Sequence, residues 1–143
     1  MHVDEFDDEI LRIAENARNT LTVFFRHLNM PKAGEGNFSV KYAFPVGKCE
    51  HGCCEPAVSA EQVWIGSITF RDGRHYGLIS SAPVYLSMRR GDRVSFAADA
   101  ITDWMFTRNG RIVGGHSIRH LLEQIPEAER TESQRRTLQM FER

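Results

Sequence analysis

The sequence predicts an α+β domain. It would be a strongly curved antiparallel sheet or partial barrel of about six or seven short strands, covered by a long N-terminal helix, with a helical C-terminal tail. Three observations carry this. Apolar residues near the start recur at helical spacing, two turn dipeptides of hairpin type separate apolar runs in the middle, and a capping-box pattern opens a helix near the end.

The helical period covers residues 4–28, where Phe6, Ile10, Ile13, Ala14, Ala17, Leu21, Phe24, Phe25 and Leu28 recur at steps of three and four. Asp4 is placed to cap it, and Asn29-Met30-Pro31 ends it. Residues 38–46 alternate as a strand, with Phe38, Val40, Tyr42 and Phe44 on one face. A second strand covers 62–71, Asp72-Gly73 supplies a type I′ turn, and the return strand is His75 to Ser80. Pro83 breaks the ladder, a short strand is expected at 84–88, and Val94 to Phe96 form another. Asp99 to Ile101 read as one helical turn. Asp103 to Arg108 and Arg111 to Ile118 flank Asn109-Gly110, the clearest hairpin signal in the chain. Helices are expected from His120 to Ile125 and after Thr131-Glu132-Ser133-Gln134, with Leu138 and Phe141 as an apolar stripe. One domain over 1–143 is expected, made of the helix at 4–28, a β-rich core at 38–118 and a helical tail at 120–143.

Composition narrows the function. Net charge is -1, which offers no general attraction to nucleic acid or to an anionic membrane. Residues 38–119 hold ten bases against seven acids, so the middle is mildly basic between acidic flanks. The opening Asp4, Glu5, Asp7, Asp8 and Glu9 is the opposite of a secretory leader, and no apolar run is long enough to span a bilayer. The expectation is a cytoplasmic protein whose three cysteines are thiols or metal ligands.

Several segments resemble a known family. They are Phe38-Ser39-Val40-Lys41, Glu61-Gln62-Val63-Trp64-Ile65, Tyr76-Gly77, Pro83-Val84 and Gly91-Asp92-Arg93-Val94. Further along come Ile101-Thr102-Asp103-Trp104-Met105 and Gly114-Gly115-His116-Ser117-Ile118-Arg119, and Ala17-Arg18-Asn19-Thr20-Leu21 closes the leading helix. Together they resemble the bacterial domain of unknown function DUF2314 over roughly residues 4–122. The resemblance implies a bacterial source and no agreed activity. Where such sequences often read Glu-His before the tryptophan, this chain reads Glu61-Gln62, and the cysteine loop at 47–60 looks like an insertion of its own.

That loop holds Cys49, His51, Cys53 and Cys54 within six residues. Thiolate and imidazole are zinc ligands, but adjacent cysteines rarely bind one ion. A zinc site would use Cys49, His51 and one of Cys53 or Cys54, with a distant fourth ligand such as His75 or His116. A mobile loop without metal is the alternative.

The second cluster lies on the Asn-Gly hairpin. Alternation puts Trp104 and Phe106 on one face and Asp103 on the other. Gly114 and Gly115 admit a ligand, or else the ring of Trp104. Asp103 and Arg119 are spaced to pair as a bidentate salt bridge, and His116 is a candidate general base with no readable nucleophile.

The favoured function is a non-enzymatic binding module for a protein segment or small ligand. Its site would be Asp103, Trp104, Gly114, Gly115, His116 and Arg119, together with Trp64 on the 62–80 hairpin. The alternatives are a metal-assisted, hydrolase-like enzyme built on His116 and the cysteine loop, and an RNA-binding module using Arg89, Arg90 and Arg93. Part of the leading helix's apolar stripe could serve a homodimer contact. The zinc reading predicts stoichiometric metal in protein purified without chelator, measured by elemental analysis; a metal-free result removes it.

Overall fold

The helical period through residues 4–28 is interrupted at a single position. Thr20 leaves the helical basin, with φ -108° and ψ 7°. Its hydroxyl donates back to the carbonyls of Asn16 and Ala17 at 2.8 and 3.2 Å. Threonine bonding to the preceding turn bends or ends a helix, and its β-branching adds crowding. The single long helix expected from the sequence is therefore two, α1 at Val3–Asn19 and α2 at Leu21–Asn29. The computed structural model describes residues 3–45 and 60–142, with side chains from residue 8 onward.

Among the described residues the strands are β1 Glu35–Pro45, β2 Ala60–Arg71, β3 Arg74–Ile79, β4 Arg93–Phe96, β5 Ile101–Arg108 and β6 Arg111–Gly114. Helices α3, His116–Gln124, and α4, Glu132–Met140, complete the fold. The sheet has the order β4-β3-β2-β1-β5-β6 and is not closed, so the fold class is α+β without a barrel. The registered pairings β1–β2, β2–β3, β3–β4 and β5–β6 are all antiparallel. The chain divides into two compact units, Met1–Phe38 with Thr102–Arg143, and Ser39–Ile101.

The first unit is built on stacked rings. Phe24 is fully buried, with its centroid 5.4 Å from Phe25, 6.0 Å from Phe38 and 5.7 Å from Trp104. Phe106 stacks on Phe38 at 5.0 Å and on His27 at 5.2 Å. Offset and edge-on contacts of this kind add to area burial because ring edges are positive and faces negative. Asn109 and Gly110, at φ 51° and 79°, make the I′ turn that the sequence predicts. The expected strand to Ile118 stops at Gly114, because Gly114 and Gly115 are both left-handed, at φ 82° and 65°. Two such residues in succession cannot continue a ladder, so α3 begins at His116 and not at His120. The capping box at Thr131 and Gln134 forms as expected, at 3.1 and 2.8 Å. Beyond α4, buried Phe141 bridges Ile112, and Glu142 N–H donates to the Ile112 carbonyl at 2.7 Å.

The second unit centres on Val40, Val63, Ile65, Ile79 and Phe96, all buried. Asp72 and Gly73, at φ 52° and 77°, close the β2–β3 hairpin. A register shift between Gly66 and Thr69, with Ser67 at φ 49°, marks a β-bulge. The strand expected at 84–88 is absent: the chain there bonds to a side chain instead of a ladder, as described below.

The charged network of the first unit centres on Glu35, whose side chain is shielded from solvent. It accepts from Lys32 N–H at 2.8 Å, bonds His27 Nδ1 at 2.9 Å and accepts from Arg108 Nε at 3.0 Å. Arg108 also reaches Glu142 at 2.8 Å. Burial alone would raise the Glu35 carboxyl, but the Lys32 amide, His27 and Arg108 together outweigh it and hold the group down to about 2. Below the ordinary value of 4.5 the unfolded chain takes up a proton that the folded chain refuses until about 2. Stability from this group is thus complete above 4.5 and lost as pH falls from 4.5 to 2. Glu35→Gln is expected to be less stable at neutral pH and to show a shallower acid loss across that window, read by urea unfolding at a series of pH values. An unchanged acid slope would contradict it.

Candidate functional site

Strand β5 turns Trp104 toward the rings of the first unit, while the Asp103 carboxylate meets the start of α3. Helix α3 needs a cap, since its first amides have no partner within the helix and Gly115, the residue before it, has no side chain. Asp103 supplies the acceptor from across the hairpin. One oxygen accepts from Trp104 N–H at 2.8 Å and His116 N–H at 3.2 Å; the other accepts from Ser117 N–H at 2.8 Å and Ser117 Oγ–H at 2.6 Å. The side chain is fully buried, and a negative group at a helix N-terminus also suits the macrodipole.

The glycines fit this joint closely. A Cβ on Gly114 would press on the Trp104 carbonyl oxygen and stand 2.6 Å from Trp104 Cε3. One on Gly115 would stand 3.0 Å from a Phe141 ring carbon. The space beside the glycines is therefore filled by rings of this chain. Trp104 is 4% exposed, and its Nε1–H donates to Thr20 Oγ1 at 3.1 Å. The same hydroxyl that breaks the helix thus anchors the indole.

The structure gathers Asp103, Trp104, Gly114, Gly115 and His116 into one joint. The expected Asp103–Arg119 pair does not form. A carboxylate has about four acceptor positions, and those of Asp103 are taken by amides and a hydroxyl. Arg119 lies one turn into α3, bonded to Glu123 at 2.7 Å with its guanidinium over Phe141. His116 packs edge-on against Trp104 with centroids 5.7 Å apart. In nucleophilic catalysis a histidine stands between hydroxyl and carboxylate; here Asp103 takes the Ser117 hydroxyl directly.

Trp64 belongs to the second unit. It is half-buried on β2, donates its N–H to Ser81 Oγ at 3.0 Å and accepts from Ser80 N–H at 2.8 Å. Three residues earlier, Glu61 does what the sequence did not reveal. Its carboxylate accepts the successive amides of Val84, Tyr85 and Leu86 at 2.6, 2.8 and 3.0 Å. The Val84 amide is the strongest influence on this group; against some opposing burial, it and the next two amides hold the carboxyl below its usual range. A lone glutamate at the head of a strand carries no local signal for such a role. The clue was only that Glu61 and Pro83-Val84 both fell in segments of family resemblance.

This clamp fixes the irregular chain before β4. Asp92 accepts the Arg89 amide at 2.8 Å, and Gly91, at φ 93°, turns the chain back into the sheet. Arg93 then lays its guanidinium over the Tyr76 ring, 4.8 Å from the centroid. Two hollows of about 500 and 510 Å³ border that stack. Both include Arg71, Tyr76 and Arg93; the first also has Phe70 and Leu78, the second Val94 and Ser95. Phe70 is 61% exposed and Leu78 40%. Sequence reasoning missed this hollow because alternation on β3 does not say which side is left uncovered.

Cys49, His51, Cys53 and Cys54 lie outside the described residues. Among the described residues no cluster of three or more histidines, cysteines or acids is disposed to hold a metal, and no helix is long and apolar enough to cross a membrane.

A family model described as an uncharacterized protein conserved in bacteria, DUF2314, matches residues 7–138. The chain belongs to this family. A "Putative ankyrin repeat protein" of Neisseria meningitidis serogroup B is 32% identical over 133 residues, covering 92% of this chain and 51% of that protein. The "Uncharacterized protein YegJ" of Escherichia coli is 33% identical over 73 residues, covering 50% of this chain and 48% of that protein. The chain thus spans about half the length of each of these relatives. No solved structure matches. In this DUF2314 chain the segments that carried the resemblance bond to each other in pairs: Glu61 to Val84, and Asp103 to His116 and Ser117.

Asp103→Ala is expected to lower unfolding stability by about 2–4 kcal/mol, since it removes a cap and leaves buried donors unpaired. Denaturant titration checks it, and a loss under about 0.5 kcal/mol, the scale of a neutral surface change, would refute the capping role.

Proposed function

We propose that this DUF2314 chain is a non-enzymatic binding module of the bacterial cytoplasm that holds a segment of another protein. The reading is carried by the hollow of about 500 Å³ along β2 and β3. Leu78 stays exposed there beside Tyr76, exposed Phe70 also lines it, and Arg71 and Arg93 supply guanidinium groups. Exposed apolar surface rimmed by polar groups is the usual form of a protein interaction site. Two further points support it. The Asp103 carboxylate is engaged with the His116 amide and with the amide and hydroxyl of Ser117, which holds α3 on β5 within the first unit. A relative of about twice the length, named for ankyrin repeats, fits a domain that works among protein contacts.

Selection from a phage library of random peptides tests the reading. The wild-type chain is expected to enrich peptides of a common pattern. Phe70→Ser and Leu78→Ser, both at exposed positions, are expected to abolish that enrichment while the circular dichroism spectrum stays unchanged. No enrichment, or equal enrichment by both variants, would overturn the assignment.

A further inference from the structure

The outer side of β4 presents backbone as well as side chains. Ile79 N–H donates to the Asp92 carbonyl at 2.9 Å, and the register then pairs Leu78 with Arg93, Gly77 with Val94, Tyr76 with Ser95 and His75 with Phe96. In an antiparallel ladder hydrogen-bonded and non-bonded pairs alternate. Val94 and Phe96 therefore point their amides at β3, while Arg93 and Ser95 point theirs outward. β4 ends the strand order, so among the described residues no strand meets these groups.

Charge selects what can lie there. Arg71, Arg74, Arg89, Arg90 and Arg93 all belong to this hairpin and the turn that leads into β4. Of the acids nearby, Asp92 is turned onto the Arg89 amide, and Asp72 sits exposed beside Arg71 at 3.8 Å. Arginines along an edge repel a cationic strand and admit an anionic one. The hollow that reaches Val94 and Ser95 is also lined by Arg71 and Arg93, so the open backbone and the positive side chains border the same space.

We infer that the β4 edge receives an extended, acidic segment of a partner protein as an added antiparallel or parallel strand. Its backbone bonds the outward amides and carbonyls of Arg93 and Ser95. Its carboxylates meet Arg71 and Arg93, and its apolar residues enter beside Tyr76. This rests on the binding-module reading and names the chemistry of the partner.

The test uses two labelled peptides, one of alternating glutamate and valine and one of alternating lysine and valine, with fluorescence anisotropy as the readout. The wild-type chain is expected to bind the acidic peptide, more weakly at high salt, and not the basic one. Ser95→Pro removes an outward amide without touching the β3–β4 ladder, and should weaken binding about tenfold or more. Arg71→Glu with Arg93→Glu should exchange the preference, so that the lysine peptide binds and the glutamate peptide does not. This gain of binding cannot come from misfolding. The inference is overturned if Ser95→Pro binds like the wild type, if the charge exchange fails, or if labelled oligouridylate binds in place of the acidic peptide. Should phage selection still depend on Phe70 and Leu78 while these results fail, the binding face stands and the edge-strand assignment falls. Should both fail, the binding reading falls with it.

Discussion

One buried carboxylate organises the first unit. Asp103 is without solvent contact, and its charge is tolerable there only because amides and a hydroxyl surround it. That demand fixes the geometry around it. The chain must turn within two residues of β6 so that the amides of α3 point at Asp103, and only consecutive left-handed residues make so tight a turn. Glycine is required at the first of these because the Trp104 ring and carbonyl occupy the place of a side chain. The cap, the glycine pair and the tryptophan therefore form one constraint.

The second unit uses the same device more openly. Glu61 gathers three amides from a segment that makes no ladder, and so gives irregular chain a fixed course into β4. A carboxylate in the role of backbone partner explains how Pro83 is accommodated beside the sheet, since a proline lacks the donor that a strand would need. The positions of Arg89, Arg90 and Arg93 depend on that course, so the electrostatic character of the face follows indirectly from Glu61.

Local chemistry was legible in the sequence wherever it decided the outcome. The Asp72-Gly73 and Asn109-Gly110 turns and the capping box at Thr131 formed where the residues placed them, and strands β1 and β5 cover most of the runs expected to be extended. Expectations failed where a distant partner intervened. Periodicity ran through Thr20 because apolar spacing does not register a hydroxyl that bonds the previous turn and an indole 84 residues away. The strand at 84–88 was lost to Glu61, and the strand to Ile118 gave way to a helix capped by Asp103. The cluster around Trp104 and the glycines was found from sequence because its members are close in the chain. Its role as a joint was hidden, because burial and hydrogen-bond direction are properties of the fold. The hollow beside Tyr76, Leu78 and Arg93 went unnoticed for the same reason.

The tryptophans fall one to each unit, Trp104 with its indole bonded to Thr20, and Trp64 half-buried on β2. Each unit therefore carries its own emission probe in a distinct polarity. Replacing either indole by phenylalanine leaves a single fluorophore, so the chain is naturally equipped to report whether its halves melt as one cooperative body or in sequence.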